Sequence, residues 1–99
     1  MARRIVWTSH ANNIFTEILQ FYVLHNKSQT YSRKLNRSIH STIDLLKLYP
    51  FLGKKTDIQN IRFLIYSYYK IFYEVKHDEI VIHLIWDTRQ NPKDFNLKI

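Results

Sequence analysis

The sequence predicts an α+β fold, a helical hairpin packed on one face of a small, mainly antiparallel sheet, with elements in the order β-α-α-β-β-β. Three observations carry it. Apolar residues recur at steps of three and four over residues 12–25 and again over 31–46, the period of an amphipathic helix. Ile, Val, Phe and Tyr gather in three short segments between residues 61 and 87, the composition of half-buried strands. At 99 residues and 45% hydrophobic content, the chain has the size of one domain with a modest two-layer core, and is too apolar to stay disordered. A single domain over residues 1–99 is expected.

Arg4 to Thr8 is rich in β-branched and aromatic residues and reads as a short strand, closed by Ser9 as a helix N-cap. From Asn12 to His25, residues Ile14, Phe15, Ile18, Leu19, Tyr22 and Val23 form one helical face. Asn26, Lys27 and Ser28 break that helix. A second follows with Tyr31, Leu35, Ile39, Thr42 or Ile43, and Leu46 on one face, until Pro50 stops it. The short break makes the pair an antiparallel hairpin whose apolar face needs a sheet. Gly53 to Asn60 is a polar connection, and Gly53, the only glycine, is expected in a left-handed turn after the helix. Strands are then predicted at Ile61–Tyr66, Tyr69–Lys76 and Ile80–Asp87, joined as an antiparallel meander.

Composition narrows the function. Fifteen Lys and Arg against eight Asp and Glu give a net charge of +7, which favours RNA, DNA, an acidic protein or a membrane surface as partner. Cysteine is absent, which removes disulfides, a thiolate nucleophile and Cys-based zinc. Histidines 10, 25, 40, 77 and 83 lack metal-ligand spacing, and one glycine leaves no P-loop or dinucleotide fingerprint. No metal and no cofactor are expected. The basic start, MARRIVW, runs directly into polar residues without the apolar segment of a signal peptide. IVIHLIW (80–86) falls far short of the roughly 20 residues of a membrane helix. A soluble, cytoplasmic protein with no membrane partner is expected.

Side chains alternate between the faces of a strand. The more apolar sets, Ile61/Phe63/Ile65, Tyr69/Ile71/Tyr73/Val75 and Ile80/Ile82/Leu84/Trp86, are expected to meet the helices. The opposite face would then gather Arg62, Lys70, His83, Asp87 and Arg89 around Leu64, Phe72 and Ile85. Cations, a histidine and aromatic rings on a helix-free face suit a phosphodiester backbone, because Arg and Lys neutralise phosphate and rings stack on bases.

The order of elements, together with LYPFLGKK (48–55), YYKIFYEV (68–75) and IVIHLIWDTRQNP (80–92), resembles the RelE/ParE superfamily of bacterial toxin-antitoxin toxins over nearly the whole chain. The resemblance implies a toxin neutralised by a cognate antitoxin. RelE-like members are ribosome-dependent endoribonucleases that cut mRNA, whereas ParE-like members inhibit DNA gyrase. An inactive homologue, or a basic RNA-binding module without catalysis, is the alternative. The family pattern maps onto Arg62 in the second strand, Lys70 where RelE-like enzymes carry an arginine, and Arg89 after the last strand. Phe95 falls where many of those enzymes carry a tyrosine.

RNA cleavage by its own 2′-hydroxyl needs a base, an acid and stabilisation of the phosphorane charge. In the enzyme reading Arg89 and Lys70 stabilise charge and Arg62 grips a neighbouring phosphate. Phe95 stacks on a base but moves no proton, which leaves that role to His83 or Tyr73. Asp87 pairs with Arg89 or Lys70, or orients His83. On the second helix, Arg33, Arg37, Ser41 and Asp44 form a polar stripe that is either solvated or a contact for the antitoxin or gyrase. In the non-enzymatic reading the basic face is partly vestigial.

Overall fold

The computed structural model describes residues 2–26 and 28–97. In chain order it has β1 (Arg4–Trp7), α1 (Ser9–Asn26), α2 (Thr30–Asp44), β2 (Lys54–Lys55), β3 (Ile61–Tyr66), β4 (Tyr69–Val75) and β5 (Glu79–Asp87). Short 3-10 turns follow α2 at Leu45–Lys47 and close the tail at Pro92–Asp94. The expected order of elements is present, with β2 as an addition. Its two lysines pair with Phe63 and Arg62 and lie in the segment that reads as a polar connection. Two lysines have no apolar alternation, so nothing in the pattern marks them as a strand.

The five strands form one sheet in the order β1-β5-β4-β3-β2. β1 runs parallel to β5, and β2 to β5 pair antiparallel. The hairpin of helices is thus the crossover between β1 and the rest of the sheet. The N-cap of α1 is Thr8 rather than Ser9: its Oγ1 accepts the Ala11 N–H at 3.0 Å. β1 stops at Trp7, one residue earlier than expected, which frees Thr8 for the cap. Trp7 then stacks on Phe15 with centroids 5.4 Å apart, and Ser32 Oγ donates to Leu19 O at 3.0 Å, tying the helices together. Lys27, part of the predicted break, lies outside the described residues.

The helix side of the sheet holds the main core. Phe15, Leu35, Ile39, Ile43 and Leu46 pack there on Leu64, Ile71, Tyr73, Ile80, Ile82 and Ile85. On the other side Ile61, Phe72 and Leu84 form a second cluster with Phe63, Trp86 and Leu97. Two of the predicted face assignments are therefore corrected. In β3 the set Arg62/Leu64/Tyr66 faces the helices, because the register sets Leu64 opposite Ile71 and Phe63 opposite Phe72. In β5 a bulge breaks the alternation: Phe72 is opposite Leu84 while Tyr73 is opposite Ile82, leaving His83 as the extra residue. Beyond the bulge Ile85 and Asp87 face the helices and Leu84 and Trp86 face away.

Nor is the second face open. The tail crosses it, with Phe95 edge-on to Phe72 at 5.3 Å and to Trp86 at 5.2 Å, and the Asn96 carbonyl lies 3.3 Å from His10 Nε2.

Gly53 also has a different reason from the one expected, since its φ is not positive; the left-handed residues are Asn60 and Ser67. A Cβ at Gly53 would lie 2.7 Å from both the Phe63 carbonyl oxygen and the Tyr73 hydroxyl. That hydroxyl donates to Pro50 O and accepts the Gly53 N–H, each at 2.9 Å. One buried tyrosine thus fastens the loop after α2 to the sheet, and only glycine lets the loop approach it.

Gly53→Ala is expected to destabilise the fold by about 1–3 kcal/mol, through backbone displacement. Tyr73→Phe is expected to cost about 1–3 kcal/mol, by leaving the buried Gly53 N–H without its partner. Urea unfolding measures both, and wild-type midpoints would contradict the loop-fastening role.

Candidate functional site

The residues singled out from the sequence do not meet on one face. Arg62 lies on the helix side of β3, where Nη1 donates to Gly53 O at 2.9 Å and Phe51 O at 3.4 Å. Its guanidinium sits 5.2 Å from the centre of the Phe51 ring. Neighbouring Tyr73 is fully buried. Burial pushes its hydroxyl pKa up, only partly offset by the Gly53 N–H and the charge of Arg62. Both hydrogen-bonding positions of that hydroxyl are occupied by the loop.

Arg89 is on the helix side too, but at the opposite end of the sheet. Tyr69, opposite Asp87 in the register, and Tyr73, opposite Ile82, are four residues apart on β4, or roughly 13 Å at strand rise. Asp87 holds Arg89 from three directions: Oδ1 accepts the Arg89 N–H at 2.9 Å and Nε–H at 3.1 Å, and Oδ2 accepts Nη2–H at 2.9 Å. Nη2 also donates to the Tyr22 hydroxyl at 2.6 Å, and the guanidinium lies 4.4 Å from the Tyr68 ring centre. The Tyr22 hydroxyl is 3.0 Å from that of buried Tyr69, whose pKa is raised by burial and then by Tyr22. Together with Ile14, Glu17 and Phe21, Arg89 and Asp87 line a cleft of about 530 Å³ between α1 and the end of β5.

For Asp87 the largest single influence, burial, raises the pKa. Hydrogen bonds from the Arg89 side chain and backbone, with its charge, outweigh burial and hold the carboxyl below its ordinary value of 3.8. The same bonds from Asp87 and Tyr22 drive the Arg89 pKa further up. Of the predicted partners for Asp87, the pairing with Arg89 is the one present.

Lys70 and His83 are on the far side of the sheet. Lys70 Nζ lies 4.8 Å over the Phe63 ring. His83, at the bulge, is buried, with Nε2 2.9 Å from Glu74 Oε1. Its Nδ1 is buried without a hydrogen-bond partner. The expected constellation of Arg62, Lys70, His83, Asp87 and Arg89 on one helix-free face is therefore replaced by three separate places. The two inversions responsible are the register of β3 and the bulge in β5. Phe95 is occupied by Phe72 and Trp86. Arg33 and Arg37 are exposed on α2, where Arg33 Nη2 donates to Gln29 Oε1 at 2.7 Å, and Asp44 of the same stripe pairs with Lys47 at 3.5 Å.

Tyr22, Tyr68 and Glu74, the actual partners of Arg89 and His83, are absent from the residues singled out from the sequence. The helical period places Tyr22 on the core face, where its ring packs, and no local signal marks its hydroxyl as a ligand for a residue so distant in the chain. Among the described residues there is no group of three or more His, Cys, Asp or Glu placed to hold a metal ion, and no helix long and apolar enough to cross a membrane.

The helical hairpin on a five-stranded mixed sheet is the fold expected of the RelE/ParE superfamily. A family model described as the ParE toxin of the type II toxin-antitoxin system, parDE, matches residues 5–92. The chain belongs to that family, which implies a cognate antitoxin as partner. A solved structure titled "Chromosomal ParDE TA system from P. aeruginosa" is similar, with a TM-score of 0.71 and 20% sequence identity over 85% of this chain and 94% of that one. No curated protein sequence matches.

Because the folded-state pKa of Asp87 is depressed, its contribution to stability is complete above the ordinary value and is lost as pH falls through the folded value. Asp87→Asn is expected to cost roughly 1 kcal/mol at neutral pH, given a half-exposed arginine. That difference should hold above about pH 5 and shrink below about pH 4. Parallel urea titrations over this range measure it. A difference independent of pH would refute the ionic role of the pair.

Proposed function

We propose that this toxin inhibits DNA gyrase by binding, without cutting RNA. The observation that carries the reading is that the proton-moving groups beside its two best-placed arginines are already engaged within the protein. Cleavage through the 2′-hydroxyl requires base, acid and cations within reach of one phosphate. Beside Arg62 the Tyr73 hydroxyl is committed to Pro50 and Gly53, and His77, which lines the same cavity, has no carboxylate or second histidine among the lining residues to complete an acid-base pair. Beside Arg89 the Tyr22 and Tyr69 hydroxyls are bonded to each other and Asp87 is already bound to the arginine. His83, closest by nature to a neutral-pH shuttle, is buried on the other side of the sheet against Glu74. Phe95 has no proton to give.

A binding inhibitor needs exposed anchors rather than a reaction centre. Arg33, Arg37 and Arg89 are exposed cations, and Leu48, Tyr49, Phe51 and Leu52 form an exposed apolar run in the loop after α2. Aromatic and arginine side chains of this kind are the usual anchors of protein interfaces. The cognate antitoxin would cover part of the same surface.

Purified protein added to a gyrase supercoiling reaction is expected to inhibit it. In a purified translation system, with or without ribosomes, end-mapping should find the mRNA intact. Ribosome-dependent cuts within codons would overturn this reading in favour of an mRNA interferase, and inactivity in both assays would indicate a homologue that only binds its antitoxin.

A further inference from the structure

One end of the sheet contains a cavity of about 550 Å³ whose charged lining residues are all basic. Arg3, Lys55, Arg62, Lys76 and His77 line it, with Phe51 on the wall, and no Asp or Glu does. Asp78 and Glu79, which follow His77, are taken by Arg4 at 3.8 and 3.3 Å, and Asp57, between the lining residues Thr56 and Ile58, does not itself line the cavity. Among the described residues Arg3, Lys55, Arg62 and Lys76 are in no ion pair. Arg3 is held beside Lys76 by its Nε–H, which donates to the Lys76 carbonyl at 2.7 Å. Arg62 uses Nη1 on the loop, which leaves the rest of the guanidinium to face a ligand. A concave surface with charge of a single sign concentrates its field and draws in anions.

The spacing of these cations indicates what kind of anion. Lys55 is on β2, opposite Arg62 on β3, and Lys76 follows the end of β4. Arg62 is opposite Tyr73 on β4, three residues before Lys76, so with strands about 4.8 Å apart and a rise of about 3.3 Å per residue the backbone positions of the three cations spread over roughly 14 Å. One DNA strand carries a charge every ~3.4 Å of helix axis, and a spread of that length reaches about four phosphates. We propose that this cavity binds the phosphodiester backbone of DNA, and that the toxin grips the DNA segment of its gyrase target there. The proposal rests on the gyrase reading for its biological setting, while DNA binding itself is measured without gyrase.

The test uses the full chain and a short fluorescent duplex, with anisotropy read over a range of salt concentrations. Lys55→Gln/Lys76→Gln removes two exposed cations and leaves Arg62, which supports the loop, in place. It is expected to weaken binding about tenfold or more at 0.1 M salt and to lower the slope of log K against log salt by about 2. Lys34→Gln/Lys93→Gln, with the same change in net charge on other surfaces, should change the affinity less than about twofold if binding is local rather than set by total charge. Equal losses in the two variants, or no DNA binding by the wild type, would overturn the proposal. So would polyglutamate binding that falls in Lys55→Gln/Lys76→Gln while DNA binding does not, which would assign the cavity to an acidic polypeptide. Wild-type gyrase inhibition with an unaffected double variant would remove the cavity and leave the gyrase reading standing. Failure of the wild type to inhibit gyrase would remove that reading, and the anisotropy comparison would still decide the cavity.

Discussion

A single extra residue in β5 governs on which face of the sheet Asp87 and Arg89 end up. At His83 the strand advances by one residue against β4, and side chains beyond that point exchange faces. Without the bulge, Asp87 and Arg89 would lie beneath the sheet with Lys70 and His83. With it, Ile85 completes the helix-side core and Asp87 carries Arg89 up to Tyr22 of α1. Leu84 and Trp86 are turned toward the second apolar cluster, where the tail docks through Phe95. The bulge thus links both layers of packing to the position of the C-terminal cation.

This arrangement has a chemical consequence. A guanidinium whose neighbouring carboxylate and phenols are already bonded to it or to one another attracts anions but has no free base and acid beside it for a cleavage that requires both. Arg89 is held by a carboxylate, a phenol and an aromatic face, a geometry that orients a guanidinium for recognition. Arg62 braces the loop after α2 and also faces the basic cavity. Each arginine is rigid where it sits, and each sits in a different neighbourhood. Interfaces depend on preorganised anchors of this kind.

Much of the fold was legible in the sequence. Helical periodicity found both helices, and β-branched and aromatic clustering found four of the five strands. The faces were harder to read because this sheet is apolar on both sides: Ile61 and Phe63 are as hydrophobic as Leu64 and Tyr66, so alternation in β3 has two solutions of nearly equal merit. A bulge has no composition signal in IVIHLIW. Gly53 was noticed for the wrong property, since a close approach of Tyr73 depends on a residue twenty positions away. The basic cavity draws on Arg3 near the start of the chain, on Lys55 in a segment that reads as a connection, and on Arg62, Lys76 and His77, and no local window unites them.

The most direct measurement of the central claim, that the cations are segregated by the bulge, is a set of nuclear Overhauser contacts from the Arg89 side chain in isotopically labelled protein. Contacts to the rings of Tyr22 and Tyr68, with none to Phe72 or His83, are the result expected from the bulged strand. Contacts from Arg89 to Phe72 or His83 would put it on the face of Lys70, and the separation on which the binding-inhibitor reading depends would be contradicted.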